Sequence, residues 1–65
     1  MRIEINGEVK EVPDGISLQS LLEYLSLPQR VAVELDHQVI RKIDWPSTLV
    51  NDGARIEVVH FVGGG

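Results

Sequence analysis

The sequence predicts an α+β domain, with one mixed sheet packed on a single helix. Three observations carry that expectation. Two apolar segments at the start are joined by Asn6-Gly7, a leucine stripe follows at helical spacing, and three further strand-like segments come after it. With 65 residues the chain holds one domain. A chain this short buries only about 60% of the surface its unfolded form exposes. That leaves room for one modest core and little for an enclosed substrate pocket, which argues against a self-contained enzyme.

Met1, Ile3 and Ile5 alternate with Arg2 and Glu4, the period of a half-buried strand. Asn6-Gly7 is a strong hairpin signal, and Val9 to Val12 reads as the return strand. Two registers are open: a two-residue turn would place Ile5 opposite Glu8 and Glu4 opposite Val9, while a three-residue loop through Glu8 pairs Ile5 with Val9 and Glu4 with Lys10 and is preferred because it keeps like residues on one face. Pro13-Asp14-Gly15 breaks the strand. Ser17 is the expected helix N-cap, with Ile16 and Leu21 at hydrophobic-staple spacing. Leu18, Leu21, Leu22 and Leu25 form one helical face, and Pro28 is the expected stop.

Val31 to Leu35 is a strand, Asp36-His37 a turn and Gln38 to Ile40 a short strand. Arg41 to Thr48 reads as irregular, with Trp45 as a lid over the core rather than a docking residue. Asn51-Asp52-Gly53 is a turn, and Ala54 to Phe61 is the last strand. In it Ile56 and Val58 face the helix, while Val59 and Phe61 face away. The order β-β-α-β-β-β, with the helix crossing one face of the sheet, is a β-grasp arrangement. The core is expected to hold Ile3, Ile5, Leu18, Leu21, Leu22, Leu25, Val33, Ile56 and Val58.

Composition narrows the function. There is no cysteine, which excludes disulfides, a catalytic thiol and a Cys-based zinc site. His37 and His60 are far apart and lack metal-ligand spacing, so no metal is expected. A formal net charge of −4 argues against nucleic acid as a partner. No apolar stretch reaches transmembrane length, and the first residues show no signal-peptide run, so no membrane association and a cytoplasmic location are expected. Ser17, Ser20, Ser26 and Ser47 lack the flanks of an activated nucleophile.

The informative feature is the end. Val62-Gly63-Gly64-Gly65 follows an apolar strand, dividing the chain into a domain over 1–62 and a glycine tail over 63–65, expected to be mobile when free. A frayed terminus is the bland reading. The functional reading is a tail without side chains, reaching at most roughly 3.5 Å per residue, that threads a narrow channel in another protein. Its terminal carboxylate is ionised at neutral pH and can attack the α-phosphate of ATP. Val59 and Phe61 form an outward apolar pair leading into this tail. They are read as a partner surface, the alternative being that the 41–48 segment covers them.

These residues resemble the thiamine-biosynthesis sulfur carrier (ThiS) family across essentially the whole chain. The resembling pieces are Asn6-Gly7, the Pro13-Asp14-Gly15 break before a leucine-rich helix, Val31 to Leu35, Trp45, Asp52-Gly53 and, above all, Arg55 to Gly65. The resemblance implies a ubiquitin-like β-grasp fold and a protein co-substrate rather than an enzyme. It implies that Gly65 is adenylated by an E1-like enzyme, then converted to a thiocarboxylate with sulfur from a donor system, and that thiazole synthase receives the sulfur. Gly63, Gly64 and Val62 would be read by the partners. No cofactor is bound by the carrier, and ATP belongs to the activating enzyme. Asp36 replaces an expected Asn, and Arg41-Lys42 lacks a proline common in that loop. The alternatives are the small subunit of molybdopterin synthase, which uses the same chemistry, or a non-catalytic ubiquitin-like modifier or binding module.

Overall fold

The first hairpin fixes one end of the sheet. In the computed structural model, which describes residues 1–60, β1 (Arg2–Ile5) pairs antiparallel with β2 (Glu8–Glu11). Ile5 lies opposite Glu8 and Glu4 opposite Val9, so the loop has two residues, not the expected three. Asn6 and Gly7 both take positive φ, 48° and 82°, the backbone that a tight two-residue hairpin turn requires. All four residues of β2 are exposed. No burial term therefore resists this register, and turn geometry decides it.

The helix α1 (Leu18–Tyr24) is short. The Ser17 hydroxyl accepts a hydrogen bond from the Ser20 amide at 3.1 Å, which satisfies one of the unpaired first-turn donors. Leu18, Leu21 and Leu22 are fully buried, whereas Leu25 is only partly so. Leu25 is already the C-cap, and the helix ends before Pro28 is reached. Ser26 sits at φ 56°, the Leu27 amide donates to the Leu22 carbonyl at 2.8 Å, and the Ser26 amide donates to the Glu23 carbonyl at 3.0 Å. This is a Schellman closure, with serine at the position that usually takes glycine.

After the helix come β3 (Val31–Leu35), β4 (Gln38–Ile40), a 3-10 turn (Lys42–Ser47) and β5 (Arg55–His60). The sheet order is β2-β1-β5-β3-β4, with β1 parallel to β5 and the other pairings antiparallel. β5 is thus central although it comes last in the chain. Ile3, Ile5, Val31, Val33, Ile56 and Val58 are buried with the helical leucines, and Val12, Val50 and Ala54 join them. Trp45 is 1% exposed. Its indole N–H donates to the Ile40 carbonyl at 3.0 Å, so the ring closes the core and its polar edge is satisfied. The 41–48 segment is therefore helical rather than irregular, and it packs on the helix side of the sheet.

Met1 completes the edge of the core. Its ammonium donates to the Val12 carbonyl at 2.7 Å and pairs with Asp14 at 2.8 Å. The hydrogen bond to the Asp14 carboxylate holds the ammonium pKa above its ordinary value.

Candidate functional site

The last strand is anchored by side chains from two turns. Asn6 reaches β5 twice: its Oδ1 accepts from the Val58 amide at 2.8 Å, and its Nδ2 donates to the Val58 carbonyl at 3.3 Å. The Asn6 amide donates to the Ile56 carbonyl at 2.9 Å. The β1–β5 ladder therefore continues past the end of β1 through a side chain that imitates a peptide group. On the other flank Asp36, also at positive φ, accepts from the Arg55 amide at 2.9 Å, while its own amide donates to the Arg55 carbonyl at 2.8 Å. An acid here supplies the acceptor as well as an amide would. Sequence reading took Asn6 only as a turn former. Its partner lies 52 residues away, and no local pattern reports such a bond.

These anchors present the outer face of β5. Val59 is 60% exposed, opposite Ala32 of β3. The 3-10 turn does not cover it, which removes the bland alternative for that residue. The same face carries Val39 and Val9, 69% and 62% exposed, neither of which the sequence singled out. Between the valines lie Glu4, Glu34, Arg55 and Glu57. Arg55 sits 3.3 Å from Glu4 and 3.8 Å from Glu57, while Glu34 and Glu57 lie directly opposite each other, an arrangement that costs stability. The face mixes exposed valines with charged side chains and is net acidic. His60 is exposed at the end of the strand, opposite Val31.

Phe61, Val62, Gly63, Gly64 and Gly65, the remaining expected site residues, lie outside the described residues. Among the described residues there is no grouping of three or more His, Asp or Glu side chains suited to a metal ion, and every fully buried side-chain polar atom is hydrogen-bonded. No helix there is long and apolar enough to cross a membrane. The described chemistry is that of a presented surface leading to the end of β5.

Comparison with known proteins places this architecture. A model of the ThiS family matches residues 3–65. The crystal structure of a thiamine biosynthesis protein (ThiS) from Geobacter metallireducens superposes over the full length of both chains, with a TM-score of 0.89 and 32% sequence identity. The fold is accordingly the ubiquitin-like β-grasp. An uncharacterized protein of Pyropia yezoensis, ycf40, is 45% identical over 64 residues, covering 97% of this chain and 90% of its own length. Proteins named thiazole synthase from Paramagnetospirillum magneticum and Magnetococcus marinus are 36% and 38% identical across the whole of this chain. The chain spans only 20% of the length of each.

Proposed function

Since the chain belongs to the ThiS family, we propose that it works as a sulfur carrier of thiamine biosynthesis, a protein co-substrate whose Gly65 carboxylate is the reacting group. The observation that carries this reading is the family match running through Gly65, after a strand whose outer face exposes Val59. A Gly65 carboxylate oxygen attacks the α-phosphorus of ATP in an E1-like enzyme, and pyrophosphate leaves. Sulfide-level sulfur (HS−) from the donor system then adds to the acyl carbon and displaces AMP, leaving a thiocarboxylate with no change of oxidation state. Gly63 and Gly64 add no side-chain bulk, so the tail enters a narrow channel. ATP and any metal it brings belong to the activating enzyme.

The receiving partner is thiazole synthase. In two bacterial proteins of that name, a region similar to this whole chain shares one polypeptide with the remainder. Covalent linkage of that kind raises the effective concentration of a carrier beside its acceptor, which supports the thiazole branch over the molybdopterin one. A separate modifier would be joined to lysines of other proteins, and such conjugates are not expected.

The test is ATP–pyrophosphate exchange with the E1-like enzyme, followed by intact mass after sulfur transfer. Wild-type protein should support exchange and gain a mass corresponding to one oxygen replaced by sulfur. Removing Gly65 or amidating its carboxyl should abolish exchange while leaving docking largely intact. Exchange by the amidated protein, or sulfur found elsewhere on the chain, would sink the assignment.

A further inference from the structure

Three of the chain's six Lys and Arg residues gather on one groove, in a protein of net charge −4. Arg30 precedes β3, and Arg41 and Lys42 follow β4. Between them the groove is lined by Ala32 and Val39 and floored by Trp45. All three cationic side chains are on exposed residues. Lys42 is held over the Trp45 ring, 5.9 Å from its centroid. Asp44, 3.3 Å from Arg41, is the acidic partner of the cluster among the described residues. β4 is the edge of the sheet, so nothing in the described fold covers this side.

The groove lies beside the end of β5. His60 pairs with Val31, and Val31 is a groove residue adjacent to Arg30. The chain therefore leaves β5 beside the basic rim. The sulfur-carrier reading, on which this inference rests, sets an electrostatic problem. A tail ending in an anion has to be delivered to a nucleoside triphosphate, and the carrier is itself net negative. Cations beside the end of β5 oppose that repulsion during approach, and an acidic surface at the channel mouth would complement them.

We propose that the groove rimmed by Arg30, Arg41 and Lys42 docks an acidic surface of the adenylating enzyme beside the entrance that admits the tail. Exposed Val39 gives this contact apolar area, and the rim gives orientation and a faster encounter. The repulsion from a nucleoside triphosphate arises in the adenylation step, so the steering is assigned to that encounter. The groove adjoins the open sheet face through Ala32 and Val39, and its charged rim is what is assigned to the adenylating enzyme.

The experiment compares wild type with Arg30→Gln/Lys42→Gln and with a control that removes the same number of cations, Arg2→Gln/Lys10→Gln, from β1 and β2 at the other side of the sheet. All three proteins should melt cooperatively with similar circular dichroism. In ATP–pyrophosphate exchange the groove variant should raise the KM for carrier about tenfold with kcat unchanged, and KM should rise less steeply with salt than for wild type. The control should resemble wild type, and affinity for thiazole synthase should be unchanged in calorimetry. A wild-type KM in the groove variant overturns the proposal, as does an equal rise in the control, which would indicate net charge alone. A loss confined to thiazole synthase, or sedimentation showing that the variant loses self-association instead, assigns the groove to another occupant and also overturns it. Wild-type protein that supports no exchange at all sinks the carrier reading and this inference with it, an outcome distinct from normal exchange by both proteins.

Discussion

The two faces of the sheet are drawn from alternate residues of the same strands, yet they differ in kind. One face takes Ile3, Ile5, Val33, Ile56 and Val58, all buried under the helix. The other takes Glu4, Glu34, Arg55 and Glu57, interrupted by exposed Val9, Val39 and Val59. Within β5 alone, Val58 is closed off and Val59, the next residue, is open. One parity of the strand carries stability, and the proposed recognition falls on the other. A substitution should be felt either by the fold or by a partner, according to its parity.

The largest effect should come from the closed side. Leu22 is fully buried, and Leu22→Ala should cost about 2–5 kcal/mol through lost transfer energy and a residual cavity. A core this small supplies roughly 3–5 kcal/mol in total, so the variant should be largely unfolded at room temperature by circular dichroism. A wild-type melting curve would break the comparison at its foundation.

Asn6 joins the faces by gripping the strand both share. Asn6→Gly keeps the positive φ and removes the amide, which separates backbone strain from the lost bonds. It should cost about 1–3 kcal/mol by leaving the Val58 amide and carbonyl short of partners. For a domain this size each kcal/mol lowers Tm by roughly 4–8 °C. Amide hydrogen exchange should show lost protection at Val58 and beyond it along β5. Unchanged exchange there would mean that the side chain does not hold the strand.

On the open side, Val59→Ser with Val39→Ser should shift stability by no more than about 0.5 kcal/mol. It should weaken binding to the adenylating enzyme or to thiazole synthase in calorimetry. Full affinity for both partners would strip the open face of its role. The smallest effect is expected for Glu34→Gln, which relieves the like-charge pair with Glu57 and should stabilise by about 0.2–1 kcal/mol. Combining a higher Tm with weaker partner binding would mark that carboxylate as retained for docking. A lower Tm would mean that Arg55 already satisfies both acids.

Much of this was legible because the signals are local. Ser17 caps the helix, the leucine stripe is buried, and the strands over 31–35 and 38–40 fall where alternation and turn residues place them. The outward parity of Val59 was readable, since period two needs only a strand and one known inward residue. Leu25 is only partly buried because it is the C-cap, where the backbone already departs from the helix, although helical spacing places it on the leucine face. The hairpin register was misread because facial matching was assumed to govern a strand with no buried residue. Phe61 to Gly65 lie outside the described residues, so the tail rests on sequence and family.

The sequence by itself determined the strands and the helix, the buried and open parities of β1, β3 and β5, and the run of glycines that follows β5. Those depend on period, capping and turn chemistry within a few residues. Only the tertiary structure decided that β5 lies between β1 and β3, that Asn6 and Asp36 hold its backbone from two turns, and that Arg30 shares a groove with Arg41 and Lys42. Each is a contact between residues distant in the chain. It exists because burying the leucine face requires the last strand to enter the middle of the sheet, and no local pattern encodes which neighbours that insertion brings together.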